Sequence, residues 1–475
     1  MKVTRTGVAL LVGTGFMAGF AARTGNDLLS RAFGVPWAAA QGIATPGVAA
    51  QGPGGQDTNH LLTLFNTVLE RVRADYVEPV SSTTLVDSAL NGMLTGLDPH
   101  SSYLTEPQWH ALQNETTGKF GGIGLQVTDN GGLLEVVSPI DGTPAAEAGL
   151  MPGDLITAVD GKSVEGLSLT DAVAEMRGPP DTMLRMTVKR QGQTKPLEFT
   201  LTRRIVHVQT VTSRLIGDLG VIRISEFTEQ TNPGVHAALR RLRTESGGKL
   251  RGLILDLRND PGGLLDQAID VSNDFLASGG IVSTHGRHAA DDASWPAKPG
   301  ADIAGNLPVV VLTNNGTASA AEIVAGALQD DRRALVLGTR TFGKGSVQTL
   351  IPLGDDGALR LTTARYYLPS GRSIQGLGIT PNVVVQETRT PAPHFGPQHE
   401  ADLLHILSTP ENSQGNDKAM SPPSADLPAA AQQIPKLPPP DWPAIDAARP
   451  ETDFQLQQGL VLVRAMAAGL QSVSR

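Results

Sequence analysis

Two short blocks hold side chains that could do covalent chemistry together. Asn315-Gly316-Thr317-Ala318-Ser319-Ala320-Ala321-Glu322 sets a serine among small residues, and 25 positions later Gly343-Lys344-Gly345-Ser346-Val347-Gln348 sets a lysine between glycines. A serine hydroxyl becomes a nucleophile only beside a base, and a lysine serves as one only if its pKa falls from about 10.4 towards 7 or 8. Burial among apolar groups does this, and a drop of about 3 units corresponds to roughly 4 kcal/mol, so Lys344 needs a dry pocket. Ser319 falls where an apolar strand, 308–312, gives way to a helix. The first helical N–H groups there, Ala320 foremost, lack intrahelical partners and can hold an oxyanion. Gln348 lies four positions beyond Lys344 at strand spacing, which would put both on one face and let the amide orient the amine. A third block, Leu257-Arg258-Asn259-Asp260-Pro261-Gly262-Gly263, also ends an apolar strand, and its Gly262 or Gly263 N–H can supply a second oxyanion donor.

Other readings compete for these residues. Gly338-Thr339-Arg340-Thr341-Phe342-Gly343-Lys344 satisfies most of a phosphate-binding loop, but Gly345 stands where a serine or threonine should ligate magnesium, and the following run favours strand over helix. A histidine triad through His285 or His288 would need a Gly-x-Ser-x-Gly elbow that Ser319 lacks. Taken singly, Ser319 is a packing residue, Lys344 a surface charge and Pro261-Gly262-Gly263 a turn. His100, beside Pro99, reads as a structural hydrogen-bonding group.

The elements that must position these blocks follow from composition and period. The chain has 475 residues, a formal charge of −9 and 19 scattered aromatics (4 Trp, 4 Tyr, 11 Phe), so no basic field exists to hold nucleic acid. Without cysteine, disulfides, thiolate metal sites and cysteine nucleophiles are excluded, and neither a metal nor a cofactor is called for. Lys2 and Arg5 precede an uncharged run from Gly7 to Ala22, the order of an export signal or membrane anchor within 1–40. That places the remainder outside the cytoplasm, in the periplasm or tethered to the inner membrane facing it. A flexible tether leads to a helical region, 57–112, with apolar residues at helical spacing from Leu61 to Val72 and from Leu85 to Leu94. From Val206 to 388 strands and helices alternate, which predicts an α/β layer fold interrupted by a less regular insert at 284–306. The stretch 389–450 is dense in Pro, Ala, Ser and Gln and is expected to be largely disordered apart from a short helical possibility at His399 to Leu407. A terminal helix in 451–475, with Leu456, Leu460, Val463 and Met466 on one side, should dock on the core or on a partner subunit.

Between 113 and 205 short strands alternate with Gly and Pro. Phe120-Gly121-Gly122-Ile123-Gly124-Leu125-Gln126-Val127, the block from Ser138-Pro139 to Met151-Pro152-Gly153-Asp154, and Val159-Asp160-Gly161 resemble a PDZ domain. In that reading the N–H groups around Gly121, Gly122, Ile123 and Gly124 cradle a terminal carboxylate, the following strand pairs with an extended peptide, and Leu125, Val127, Val173 and Met176 line a slot for its last apolar side chain.

Together with Leu97-Asp98-Pro99-His100-Ser101-Ser102-Tyr103 and the three blocks above, the segment from about 57 to 386 resembles the carboxyl-terminal processing peptidases. The resemblance implies a multidomain α/β protein with a crotonase- or ClpP-like serine peptidase core. It implies a Ser319–Lys344 dyad assisted by Gln348, with oxyanion donors at Gly262 or Gly263 and Ala320. It also implies a PDZ domain that recognises polypeptide substrates with apolar C-termini and can gate the active site, a homodimer built from terminal helices, and an adaptor protein as a further partner. Asp260 stands where asparagine is frequent in that family, and Ala321 where serine is. The competing class is a PDZ scaffold with a catalytically silent core.

Overall fold

The computed structural model describes residues 55–389, apart from 131–132, 141 and 168, together with 397–408 and with 427–473 apart from 447. The expected export segment lies outside them. The described chain divides into two compact units, one holding Ala111–Thr210 with Thr228–Gln230 and the other holding the rest.

In the larger unit a six-stranded sheet runs in the order Val211–Ile216, Leu219–Ile224, Gly252–Asp256, Val309–Thr313, Ala334–Gly338, Val383–Val384. The first pairing is antiparallel and the other four are parallel. Parallel neighbours require crossovers, and the helices Thr231–Glu245, Leu265–Asn273 and Ala320–Asp330 lie in them. Side chains alternate between the two faces of a strand, so both faces must be covered. Leu253, Leu255, Val309 and Val311 pack with Leu239, Val271, Ile323 and Val324 from those helices. Ile254, Val310, Leu312 and Leu337, from the same strands, pack instead with Phe454, Leu460 and Val463 of the helix Phe454–Val473. The terminal helix therefore docks on its own core.

A second sheet orders Ser102–Leu104, Ala358–Tyr367, Gly280–Gly286 and Ala293–Pro296, with Ser346–Pro352 also pairing with Ala358–Tyr367. The insert at 284–306 is thus more regular than its composition suggests. It carries an antiparallel hairpin that zips onto a strand about 80 residues away, with His285 opposite Arg365. The stretch 389–450 is described only in part. Its described part includes Ala431 and Ile434 in the core against the terminal helix, and Trp442 meets Phe454 edge to face at 5.0 Å. Apolar residues spaced through a proline-rich run anchor it without secondary-structure period, which is why composition alone points to disorder.

The smaller unit is a twisted antiparallel sheet in the order Leu125–Asn130, Leu133–Pro139, Leu155–Val159, Met183–Lys189, Leu197–Thr202, capped by the helix Leu169–Met176. Val136, Ile156, Leu184, Met186 and Val188 form its core.

Candidate active site

Ser319 sits where the strand Val309–Thr313 hands over to the helix Ala320–Asp330, on a backbone with φ 53° and ψ −116°. A non-glycine residue held there costs about 1–3 kcal/mol unless its surroundings enforce it. They do. The Ala318 N–H donates to the Asp260 carbonyl at 2.8 Å, and the Phe342 N–H donates to the Thr317 carbonyl at 2.9 Å. The small neighbours are needed, since a Cβ on Gly316 would lie 2.7 Å from Asn259 Oδ1. The Ser319 side chain is 0% exposed, and its Oγ finds no hydrogen-bond partner among the described residues. A buried hydroxyl left open in this way is costly for stability and apt for chemistry.

Glu322 joins the two blocks. Its Oε2 accepts from the Ser319 N–H at 2.8 Å and from the Lys344 N–H at 2.9 Å, while its Oε1 accepts from the Gly343 N–H at 2.7 Å and from the Thr341 hydroxyl. One carboxylate oxygen therefore fixes the backbone of both Ser319 and Lys344. Burial pushes the Glu322 carboxyl up to about 8, the four donors pulling only partly against it. No role for Glu322 follows from the residue types of the serine block alone. The signal that could have found it is Ser-x-x-Glu at a helix start, the capping box.

Lys344 is 1% exposed. Burial pushes its amine down to about 8 and Arg360 adds to this, against the opposing pull of Glu400, Glu322 and Asp98. The dry pocket that a neutral lysine requires is present. Lys344 itself precedes the strand Ser346–Pro352, and a register shift falls between Val347 and Gln348, so the strand-spacing argument linking Lys344 to Gln348 does not hold. Gln348 is nonetheless buried, with its Nε2 donating to Ser346 Oγ at 2.9 Å and to Thr362 Oγ1 at 3.1 Å. Those bonds leave Oε1 as an acceptor with no protein partner among the described residues. Because a strand follows Lys344, no helix N-terminus is available there for a phosphate. His285 pairs with Asp292, and neither it nor His288 hydrogen-bonds Ser319.

The loop after Gly252–Asp256 backs directly onto the serine, for a Cβ on Gly262 would fall 2.8 Å from Ser319 Cβ and 2.8 Å from the Ala320 nitrogen. The two glycines then separate. The Gly262 N–H donates to Asp260 Oδ1 at 2.8 Å, which removes it as an oxyanion donor. Gly262 O and Phe227 O accept from Phe227 and Leu264, leaving the Gly263 N–H without a protein acceptor among the described residues. Ala320, as the first helical residue, presents its N–H equally unpaired. Burial pushes the Asp260 carboxyl well up, which favours the neutral acid, close in shape to asparagine, at that position.

In the smaller unit, Gly121 and Gly122 belong to the strand Lys119–Gly122, paired with Arg204–His207, and only Ile123 and Gly124 lie between strands. The four-residue glycine loop is thus a two-residue turn. The close approach of Gly121 to Gly178, where a Cβ would sit 2.1 Å from the carbonyl, explains the glycine without a ligand. Ile123 and Met176 are core residues, whereas Leu125, Val127 and Val173 are only partly buried. Leu125–Asn130 is an edge strand, paired on one side alone among the described residues.

A parallel α/β layer that brings a strained serine and a buried lysine onto one carboxylate, in a chain that also carries a PDZ fold, has the make-up of a serine-type peptidase. Comparisons with known proteins specify it further. The family model for peptidase family S41 matches residues 218–385, and that for the PDZ domain matches 135–190. The chain is 47% identical over 371 residues to a carboxy-terminal-processing protease of Bartonella bacilliformis, covering 77% of this chain and 85% of that one. It is 40% identical over 325 residues to a carboxyl-terminal-processing protease of Synechocystis, covering 66% and 75%. A solved photosystem II D1 C-terminal processing protease aligns at 31% identity over 68% of this chain and 92% of its own, with a TM-score of 0.40. The chain belongs to peptidase family S41, the carboxyl-terminal processing proteases.

Proposed function

We propose that this protein is an exported endopeptidase that cuts polypeptides near their C-termini through a Ser319–Lys344 dyad, its PDZ unit holding the substrate's end. The observation that carries the dyad is the shared Glu322 oxygen, which fixes both backbones while the Ser319 hydroxyl is unengaged and the Lys344 amine is depressed. In the reaction, Lys344 Nζ takes the hydroxyl proton as Ser319 Oγ attacks the scissile carbonyl. The Gly263 and Ala320 N–H groups stabilise the oxyanion, and Gln348 Oε1 orients the amine. The ammonium then protonates the departing amine; water, giving a proton to Lys344, attacks the acyl-enzyme, and Lys344 returns that proton to Ser319 Oγ as it leaves. An extended peptide tail would add to the open edge of Leu125–Asn130, with its terminal carboxylate at Ile123 and Gly124 and its last side chain between Leu125, Val127 and Val173.

The test is cleavage of a protein with an apolar C-terminus by the intact chain and by Ser319→Ala. Loss of about 10³-fold or more in kcat is expected of the variant. Equal cleavage by both would leave a silent PDZ scaffold as the better reading. Binding of the free-acid tail, but not its amide, by the Ser319→Ala chain checks the PDZ part. Export rests on the charge-then-apolar order of residues 2–22, and cell fractionation with N-terminal sequencing of the mature protein decides between a cleaved signal and an anchor. A homodimer rests on the apolar face of the helix Gly55–Asp75. An adaptor protein belongs to the same proposal, read from the family.

A further inference from the structure

The lysine loop is gripped from a segment that lies beyond the matched peptidase region. The Glu400 N–H donates to the Phe342 carbonyl at 2.8 Å, at one end of the loop. Its Oε1 accepts from Gln375 Nε2 at 2.9 Å, and Gln375 Oε1 accepts from the Gly345 N–H at 3.0 Å, at the other end. His100 Nε2 lies 2.8 Å and 2.9 Å from the two Glu400 oxygens, with both side chains buried. Gly345 is a glycine for this reason, since a Cβ there would meet the Gln375 nitrogen at 2.4 Å.

We propose that the Glu400 carboxylate is a positioning group for Lys344: through Gln375 it holds the Gly345 end of loop 342–345, whose Phe342 end the Glu400 backbone N–H already fixes, and His100 braces it. This rests on the dyad reading above. Lys344 stands between these two grips, and a displacement of about 1 Å at a reacting group can cost about 100-fold in rate. Glu400 also acts on the amine through its charge. The charged groups that influence Lys344 are Arg360 from the strand Ala358–Tyr367, Glu322 from the helix Ala320–Asp330, Asp98 from the turn before Ser102–Leu104, and Glu400. The Arg360 Nε donates to the His100 carbonyl at 3.1 Å, so the one cation among them is tied to the same brace.

The experiment compares the full chain with Glu400→Ala, Glu400→Gln, His100→Phe and Ser319→Ala, measuring kcat, KM, the pH profile and thermal unfolding. For Glu400→Ala, kcat should fall about 100-fold with KM within about two-fold, in a protein that still unfolds cooperatively. Glu400→Gln keeps an acceptor for Gln375 but removes the anion that favours the ammonium. It should recover most of kcat and move the acidic limb of the profile to lower pH. His100→Phe should lower kcat less than Glu400→Ala does. Wild-type kcat and pH profile in Glu400→Ala would overturn the proposal while Ser319→Ala remained inactive. So would a loss that Glu400→Gln leaves uncorrected and that only tracks the folded fraction. If Ser319→Ala cleaves like the wild type, the dyad reading falls, and this one with it.

Discussion

In the proposed dyad, Lys344 is the residue whose charge decides activity. With its amine near 8, the charged form dominates at lower pH and cannot accept the Ser319 proton. The expected kcat/KM therefore rises with pH through a midpoint at about 8. A profile whose acidic limb lies in the carboxylate range would assign the base to another group. Asp260 makes a separate prediction about stability. Burial raises its folded-state pKa, so above the ordinary carboxylate range the unfolded chain releases this proton more readily than the native one. The stability it contributes is complete below the unfolded pKa and declines as pH rises towards the folded value. Asp260→Asn keeps an acceptor for the Gly262 N–H and abolishes that decline. Thermal unfolding should show the variant more stable than the parent at pH 8 and close to it at pH 4, and the same difference at both would refute the neutral-acid assignment.

At the scale of elements, the terminal helix Phe454–Val473 functions as a layer of the core. Leu460 and Val463 fill the sheet face between Ile254 and Leu312, and Gly252 lets the helix approach, since a Cβ there would meet Val463 Cγ1 at 2.2 Å. Arg258, inside the loop that backs the serine, reaches Asp453 at the helix start with contacts of 2.9 Å and 2.6 Å and Gln455 Oε1 within the helix at 3.2 Å, while its Nε and Nη2 also donate to Asp256. The helix is thereby tied to the strand end that carries Asp260 and both glycines. Leu460→Ala should cost about 2–5 kcal/mol, the usual range for emptying a buried leucine site. Chemical denaturation reads this directly, and a cost under about 1 kcal/mol would mean the helix is peripheral to the core.

For the molecule as a whole, the unsolved face is the helix Gly55–Asp75. Leu61, Leu62, Leu64, Phe65 and Val68 are between 42% and 59% exposed, an apolar stripe left uncovered among the described residues. A stripe of this kind calls for a covering surface, and a second copy is the partner proposed above. Sedimentation of the wild type should give a dimer at micromolar concentration, and Leu62→Glu with Phe65→Glu should give a monomer with the thermal unfolding of the peptidase core unchanged. A wild-type monomer would remove this part of the proposal. The PDZ unit follows the same logic of unfilled capacity, because one edge of its sheet has a strand partner and the other, Leu125–Asn130, has none among the described residues.

Much of this was legible without coordinates. Hydrophobic period is a local property, so the strands and helices from Leu219 to Tyr367, the hairpin Gly280–Gly286 with Ala293–Pro296 apart, and the PDZ strands lie within a few residues of where their pattern places them. The serine and lysine blocks were legible for a similar reason, each being a short run whose residue types limit its chemistry. Tertiary structure decided what those runs do to each other. That Gly263 rather than Gly262 keeps a free N–H depends on which carboxylate folds back onto the loop, and that Gln348 is oriented by Thr362 depends on a bulge no spacing rule contains. Glu322 bonds across 22 positions, and His100 meets Glu400 across 300. Hydrogen bonds over such separations leave no periodic trace in a single chain, because the partner is chosen by how the layers pack. The same packing turned part of a proline-rich stretch, disordered by composition, into a covering for the core and a grip on the lysine loop.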